Sequence, residues 1–337
     1  MIVVLKKDGT EKDKEVLLTN LIENDIQFNI VEENGVAFLA IQSEPLTVDS
    51  NWIKSFNIVK TIVCHEEKYK KASRLFKEED TIIHVNGQVI GGNNLTIIAG
   101  PCAVEDKEQI LQTAQMVKDS GVNIFRAGAF KPRTSPYSFQ GLGKNAFDLI
   151  SFAKKQVGLP VVTEIMDIRD IDSYKDIDIL QIGARNMQNF SLLKEIGRDG
   201  RPVILKRGFA NTVEEWLLSA EYIMLSGNSN IILCERGIRT FEQEVRATLD
   251  LSAVAILKEK THLPVIVDPS HALGNAKYVN RLSMAAIAAG ANGIMVEAHY
   301  NPCVAKSDAR QALNAMQLSN TVKTVTNIFN VLKNEQV

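Results

Sequence analysis

A chain of 337 residues with 45% hydrophobic and 23% charged residues has the composition of a globular protein, and no apolar run is long enough to span a bilayer. A net charge of −2 gives no global pull toward nucleic acid, and neither a nucleic-acid partner nor membrane insertion is expected. Cys64, Cys102, Cys234 and Cys303 lack framework spacing and read as free thiols or metal ligands. The opening MIVVLKKDGT lacks the regions of a secretory signal, which sets the expectation of a cytoplasmic protein.

Residues 1–66 read as a small α+β unit of βαββαβ order, which is ferredoxin-like. MIVVLK is a strand, and Thr10 can cap a helix running to about Leu21. IQFNIV and VAFLAI flank the hairpin signal Glu33-Asn34-Gly35, Asp49 or Ser50 can cap a short helix through Phe56, and IVKTIV is a further strand. Residues 67–94 read as a linker and a closing hairpin. The charged stretch Glu66–Asp80 is expected to be solvated or a surface helix, and the strands around Asn86-Gly87 to close the base of a barrel formed by the remaining residues.

Residues 95–337 carry eight short apolar runs, each breaking into polar residues. TIIAG leads to Cys102, IFRAG brings Arg126, VVTE brings Glu164, and ILQIGAR brings Gln181 and Arg185. VILKRG brings Lys206 and Arg207, IILCERG brings Glu235 and Arg236, VIVDPSH brings Asp268 and His271, and GIMVE ends at Glu297. Val, Ile and Leu runs without alternation suit strands buried on both faces. Helical periodicity lies between them, as in Thr212–Ser226 and Tyr278–Ala289, and a last amphipathic helix is expected over Gln311–Asn334. The pattern predicts an α/β chain with a (β/α)8 barrel, whose site lies at the C-terminal strand ends.

Two constellations fall at those ends. Cys102, His271, Glu297 and Asp308 follow strands one, seven and eight, which adjoin in a closed barrel. Thiolate, imidazole and two carboxylates suit a divalent Zn, Fe, Co or Mn. Taken singly, a buried Cys is a small hydrophobe and a His a satisfied core residue, so spacing alone divides evenly between a metal site and independent packing. Cys64 and Cys234 read as packing, and Cys303 has no expected role. The second constellation is cationic: Arg126, Lys131, Arg133, Arg185, Lys206, Arg207, Arg236 and Arg239. Converging guanidinium and ammonium groups hold phosphate and carboxylate oxygens, so the expected substrate is a polyanion. No Walker loop or dinucleotide fingerprint is present, whereas KPRTSPYSFQG (Lys131–Gly141) reads as a preformed oxyanion cradle.

At this point the sequence resembles the 3-deoxy-D-arabino-heptulosonate 7-phosphate (DAHP) synthases, in the short type I beta form with an N-terminal ferredoxin-like domain. The resemblance spans the chain through IAGPC, KPRTSPYSFQG, QIGARNMQNF, LKRG, ILCERGIRTFE, VDPSH and the stretch from HYNP to SDARQAL. It implies a metal-dependent condensation of phosphoenolpyruvate with erythrose 4-phosphate. It also implies that Cys102, His271, Glu297 and Asp308 are the metal ligands, and that Arg126, Lys131 and Lys206 hold the phosphoenolpyruvate carboxylate. Arg185 and Arg236 would grip its phosphate, while Pro132, Arg133 and Thr134 would meet the sugar phosphate. Glu164 with Lys206 would orient water, and Asp268 and His271 would assist proton transfers. The regulated short form implies a tyrosine or phenylalanine effector at residues 1–66 and a homotetramer. Cys303 and Lys277 depart from the family pattern, where an acidic residue and arginine are usual. The rival readings are the sister synthase using arabinose 5-phosphate, whose loop reads KANRSS where this chain has KPRTS, a Schiff-base aldolase through Lys206, and a non-catalytic regulator.

Overall fold

The computed structural model describes residues 1–33, 35–41, 49–63, 68–133 and 135–335, so Asn34, Cys64 and Thr134 lie outside the described residues. The chain divides into two compact units, Met1–Lys68 and Tyr69–Val337.

The first unit runs β1 (Ile2–Leu5), α1 (Glu11–Glu23), β2 (Phe28–Glu33), β3 (Val36–Ile41), α2 (Ser50–Lys54) and β4 (Val59–Val63). Its antiparallel sheet has the order β2-β3-β1-β4, the ferredoxin-like arrangement. Thr10 starts α1 by accepting the Asp13 N–H, and Asp49 starts α2 by accepting the Asn51 N–H. α1 outruns its expected end at Leu21, and α2 stops at Lys54, short of Phe56. Leu17 and Leu21, one helical turn apart, meet Val3 and Leu5, which alternate along β1, with Leu39 and Ile53 completing the core.

The second unit opens with an irregular segment that corrects the expectation of a solvated linker or surface helix. Tyr69, Ala72 and Ser73 are buried. The Glu221 carboxylate accepts the N–H groups of Lys70 and Ala72 at 2.7 Å each. Arg74 donates to the carbonyls of Lys258, Glu78 and Thr261 and to Asp80. Charged side chains here satisfy a backbone that has no regular ladder, so charge in this stretch marks anchorage rather than solvation. The hairpin β5 (Ile83–Val85) and β6 (Gln88–Ile90) comes next. Ile83, Val85 and Ile90 pack against the barrel interior at Ile98, Ile124 and Ile179, plugging its base.

The barrel proper contains β7 (Thr96–Gly100), α3 (Lys107–Asp119), β8 (Ile124–Arg126), α4 (Ala146–Val157), β9 (Val161–Glu164), β10 (Ile179–Ile182), α5 (Phe190–Asp199) and β11 (Val203–Lys206). It continues with α6 (Val213–Leu225), β12 (Ile231–Glu235), α7 (Leu251–Lys260), β13 (Val265–Val267), α8 (Pro269–Leu273), α9 (Ala276–Ala288), β14 (Gly293–Glu297) and α10 (Ala315–Glu335). The eight strands close in the order β7 to β14, all parallel, with Glu297 of β14 opposite Gly100 of β7. Two connections differ from expectation. Between β9 and β10 the chain forms a 3₁₀ segment, Ile168–Tyr174, because IRDIDSY has too few apolar positions for a long amphipathic stripe. α10 begins at Ala315 rather than Gln311, since residues 309–314 are spent on a 3₁₀ turn and an extended stretch that pairs Leu313 with Ala298.

Alternation sets which residues enter the lumen. Ile98, Ile124, Val162, Ile179, Ile204, Ile232, Cys234, Ile266 and Met295 form the interior cluster, while their strand neighbours pack outward against the helices. Cys234 is thus a packing residue, and Cys303 is exposed.

Candidate functional site

The same alternation, continued two residues toward each C-terminal strand end, aims the chemistry down the barrel axis. Ile124 leads to Arg126, Val162 to Glu164, Ile179 to Gln181, Ile204 to Lys206, Cys234 to Arg236, Ile266 to Asp268 and Met295 to Glu297. β7 has Gly100 at that level. A Cβ there would lie 1.9 Å from the Arg126 carbonyl oxygen, so only glycine lets β8 come this close.

Cys102, His271, Glu297 and Asp308 converge, each offering a donor atom such that all lie within 4.8 Å of one another. His271 is fixed by Asp268, the N-cap of α8, which accepts its backbone N–H at 3.0 Å and engages Nδ1 at 2.7 Å. That leaves Nε2 facing Glu297 Oε1 at 2.8 Å. Two acceptor atoms at that distance need a shared proton or cation between them, and a carboxylate behind the imidazole is the usual support of a metal-binding histidine. Glu297 is further held by Arg126 at 3.1 Å and by the Gln311 amide at 2.8 Å. Asp308 sits at φ 50°, in the left-handed region, with the Cys102 thiol 3.3 Å from its Oδ2.

The charges explain why these groups are held as donors. Burial pushes Glu297 and Asp268 up, but His271 with Arg126 outweighs it for the first, and His271 with Lys206 for the second, so both stay well below the usual carboxylate range. Burial, reinforced by Glu297, pushes the Cys102 thiol up to about 12. A bound cation is what would draw such a thiol to the thiolate form, so soft and hard donors together fit a divalent transition metal.

The cationic set is placed unevenly. Arg126, Lys131, Arg185, Lys206 and Arg236 line one pocket with Cys102, Glu164, Gln181 and His271. Lys206 pairs with Asp268 at 2.5 Å, and the Lys131 ammonium turns to Cys102 and Asp308. Pro132 and Arg133 line an adjoining groove with Ser135 and Arg310. Glu164 accepts from Gln181 at 3.3 Å and lies so close to Gly183 that a Cβ there would be 2.0 Å from its Oε1. Arg239 is exposed and lies beside Phe209, outside the residues that line the pocket and the groove.

Arg207 does not belong with them. Lys206 takes the inward position, so its neighbour points outward, where Arg207 pairs with Glu235 at 3.0 Å and Asp250 at 2.8 Å. Its guanidinium is structural, binding two acids beneath α7. Arg207→Met should therefore destabilise the fold by about 3–5 kcal/mol, because Glu235 is left buried without its partner. Urea unfolding would measure this, and a change below about 1 kcal/mol would refute it.

Three residues carry no signal in the sequence. Gln311 orients Glu297, Arg246 lies 3.7 Å from Asp308 and lines both pocket and groove, and Phe209 lines the pocket. Arg246 lies between β12 and α7 and Gln311 in the 3₁₀ turn before α10, where spacing is uninformative. Phe209 comes directly after LKRG but has no charge to mark it.

Comparison with known proteins gives a consistent answer. The profile described as the DAHP synthetase I family matches residues 76–334. A Thermotoga maritima protein named phospho-2-dehydro-3-deoxyheptonate aldolase is 47% identical over 315 residues, covering 93% of each chain. The crystal structure of a Thermotoga maritima protein of that name, also titled DAHP synthase, has a TM-score of 0.78 at 44% identity, covering 98% of this chain and 97% of the other. A 2-dehydro-3-deoxyphosphooctonate aldolase from Syntrophobacter fumaroxidans is 28% identical over 268 residues, 74% of this chain and 92% of its own. With a closed barrel, a cationic pocket and these similarities together, the chain belongs to the DAHP synthetase I family.

Proposed function

We infer that the protein condenses phosphoenolpyruvate with D-erythrose 4-phosphate and water to give DAHP and inorganic phosphate, the first step of the shikimate route to aromatic amino acids. The observation that carries the reading is the convergence of four metal-type donors beside a pocket lined by six cations. Arg126, Lys131 and Lys206 hold the phosphoenolpyruvate carboxylate, Arg185 and Arg236 its phosphate, and Pro132, Arg133 and Thr134 the sugar phosphate. A divalent Mn, Fe, Co or Zn ion held by Cys102, His271, Glu297 and Asp308 supplies Lewis-acid polarisation of the aldehyde.

The protein's own groups do the rest. Binding both anions in one pocket brings C3 of phosphoenolpyruvate against the aldehyde carbon, and such proximity can lower a barrier by about 7–11 kcal/mol when orientation is ideal. As the C3–C bond forms, the aldehyde π bond breaks onto its oxygen, which takes up a proton to become a hydroxyl, and positive charge develops at C2. Glu164, in the same pocket as Lys206, orients a water onto that carbon and takes its proton. The resulting hemiketal phosphate breaks its C–O bond, releasing phosphate. Asp268 steadies His271 and Lys206 while protons move between the acids and the departing groups.

The alternative is 3-deoxy-octulosonate 8-phosphate synthesis from arabinose 5-phosphate, which uses the same pocket for phosphoenolpyruvate. The loop KPRTS in place of KANRSS, together with the lower identity of the octonate relatives, favours the four-carbon sugar. Residues 1–66 are read as the site of a tyrosine or phenylalanine effector in a cytoplasmic homotetramer, on the strength of the ferredoxin-like unit and the regulated short form it resembles. One experiment tests these readings: phosphate release with each aldose, with and without divalent ions and each aromatic amino acid. Turnover is expected with erythrose 4-phosphate, with inhibition by one of the two effectors that vanishes on deleting residues 1–66. Preference for arabinose 5-phosphate would overturn the function, and inhibition surviving the deletion would overturn the effector site.

A further inference from the structure

Three guanidinium groups surround a single ring. Arg185, Arg236 and Arg239 lie 5.4, 4.8 and 5.0 Å from the centroid of Phe209. None of the three has a carboxylate within ion-pair reach among the described residues. Like charges gathered this closely repel, so something must hold them before an anion arrives. Arg236 is partly fixed by donating to the carbonyls of Gly237 at 3.1 Å and His271 at 2.9 Å. Arg239 is tied at its backbone, its N–H donating to the Phe209 carbonyl at 2.7 Å. Arg185 is held against the ring itself.

Phe209 is half-buried, lines the pocket and comes just after β11, so its backbone is fixed by the barrel. A π face attracts cations without neutralising them. That matters at an anion site: a carboxylate in the same place would gather the arginines but compete with the incoming oxyanion, whereas a ring gathers them and leaves their N–H donors free.

We propose that Phe209 is a positioning residue that pre-assembles Arg185, Arg236 and Arg239 into a three-arginine phosphate grip. The proposal rests on the reading of Arg185 and Arg236 as contacts of the phosphoenolpyruvate phosphate, and it adds Arg239 as a third. Phe209 acts on the anion only through the arginines, so its loss is expected to change anion affinity and not the chemical step.

The test compares Phe209→Leu, which keeps apolar volume but removes the π face, with Phe209→Tyr, which keeps both. Titration of inorganic phosphate by calorimetry and steady-state kinetics are read on the full chain. For Phe209→Leu we expect phosphate affinity to fall, and KM for phosphoenolpyruvate to rise, by about tenfold, with kcat and the KM for erythrose 4-phosphate within about twofold. Phe209→Tyr should match the wild type, and Arg239→Gln should weaken phosphate by about threefold. Phe209→Met replaces the leucine variant if the latter does not fold. Unchanged phosphate affinity in the ring-less variant, equal loss in the tyrosine variant, or binding insensitive to Arg185→Ala would overturn the proposal. If the wild type fails to condense the two substrates, the functional reading falls, while the phosphate contrast between the leucine and tyrosine variants still decides the role of Phe209.

Discussion

Cys102→Ser should lower kcat/KM by about 10³-fold, and EDTA should silence the wild-type protein until a divalent transition ion is restored. Cys102 would bring the soft donor to a cluster whose other members are an imidazole and two carboxylates. A serine hydroxyl is a poor substitute, being hard and reluctant to ionise. Loss of groups that merely orient ligands typically costs about 10–100-fold, so loss of a ligand should exceed that range. Folding should be spared, since the chelated variant and the chelated wild type differ by one buried atom; their unfolding free energies should agree within about 1 kcal/mol. Full turnover in chelator, or full activity in the serine variant, would refute the metal assignment.

Lys206→Met should be the second severe lesion, and it should act twice. The ammonium lies 2.5 Å from Asp268 inside the lumen, with side chains 5% and 0% exposed. Removing one partner of a buried pair leaves an uncompensated charge, at a cost of about 3–5 kcal/mol, here toward the lower end because His271 still engages the same carboxylate. Activity should fall by at least about 100-fold, because the donor proposed for the substrate carboxylate is lost. The double variant Lys206→Met with Asp268→Asn separates the two effects: stability should recover by at least about 1 kcal/mol while turnover stays low. Recovery of activity along with stability would show that Lys206 serves only to neutralise Asp268. The ion pair also weighs against the Schiff-base rival, since the nitrogen a carbonyl would need is already engaged.

Much of this is legible in the chain because parallel strands announce themselves twice. Uninterrupted runs such as VILK and IILCE mark the strands, and the polar residue closing each run marks the level of the pocket. Convergence of Cys102 with Glu297 stems from closure, which makes the first and last strands neighbours. The departures have equally specific causes. Arg207 adjoins Lys206 in sequence and is expected in the pocket with it, yet a one-residue step along a strand reverses the facing side. Composition suggests a solvated segment before the barrel, but it cannot distinguish a solvated acid from Glu221, whose partners Lys70 and Ala72 lie about 150 positions away and offer only backbone. Phe209 is silent in the sequence for a related reason: an uncharged ring acquires its importance only when three arginines are brought around it.

The hairpin plug has a consequence for traffic. With Ile83, Val85 and Ile90 sealing one end of the lumen, the barrel is a cup and not a tunnel. Reactants and products must use the same doorway, so the last substrate to enter stands in the exit path of the first product to leave. Turnover in such a vessel is governed by the order in which its rim is crossed, and the loops carrying Arg133, Arg246 and Asp308 line the groove beside that opening.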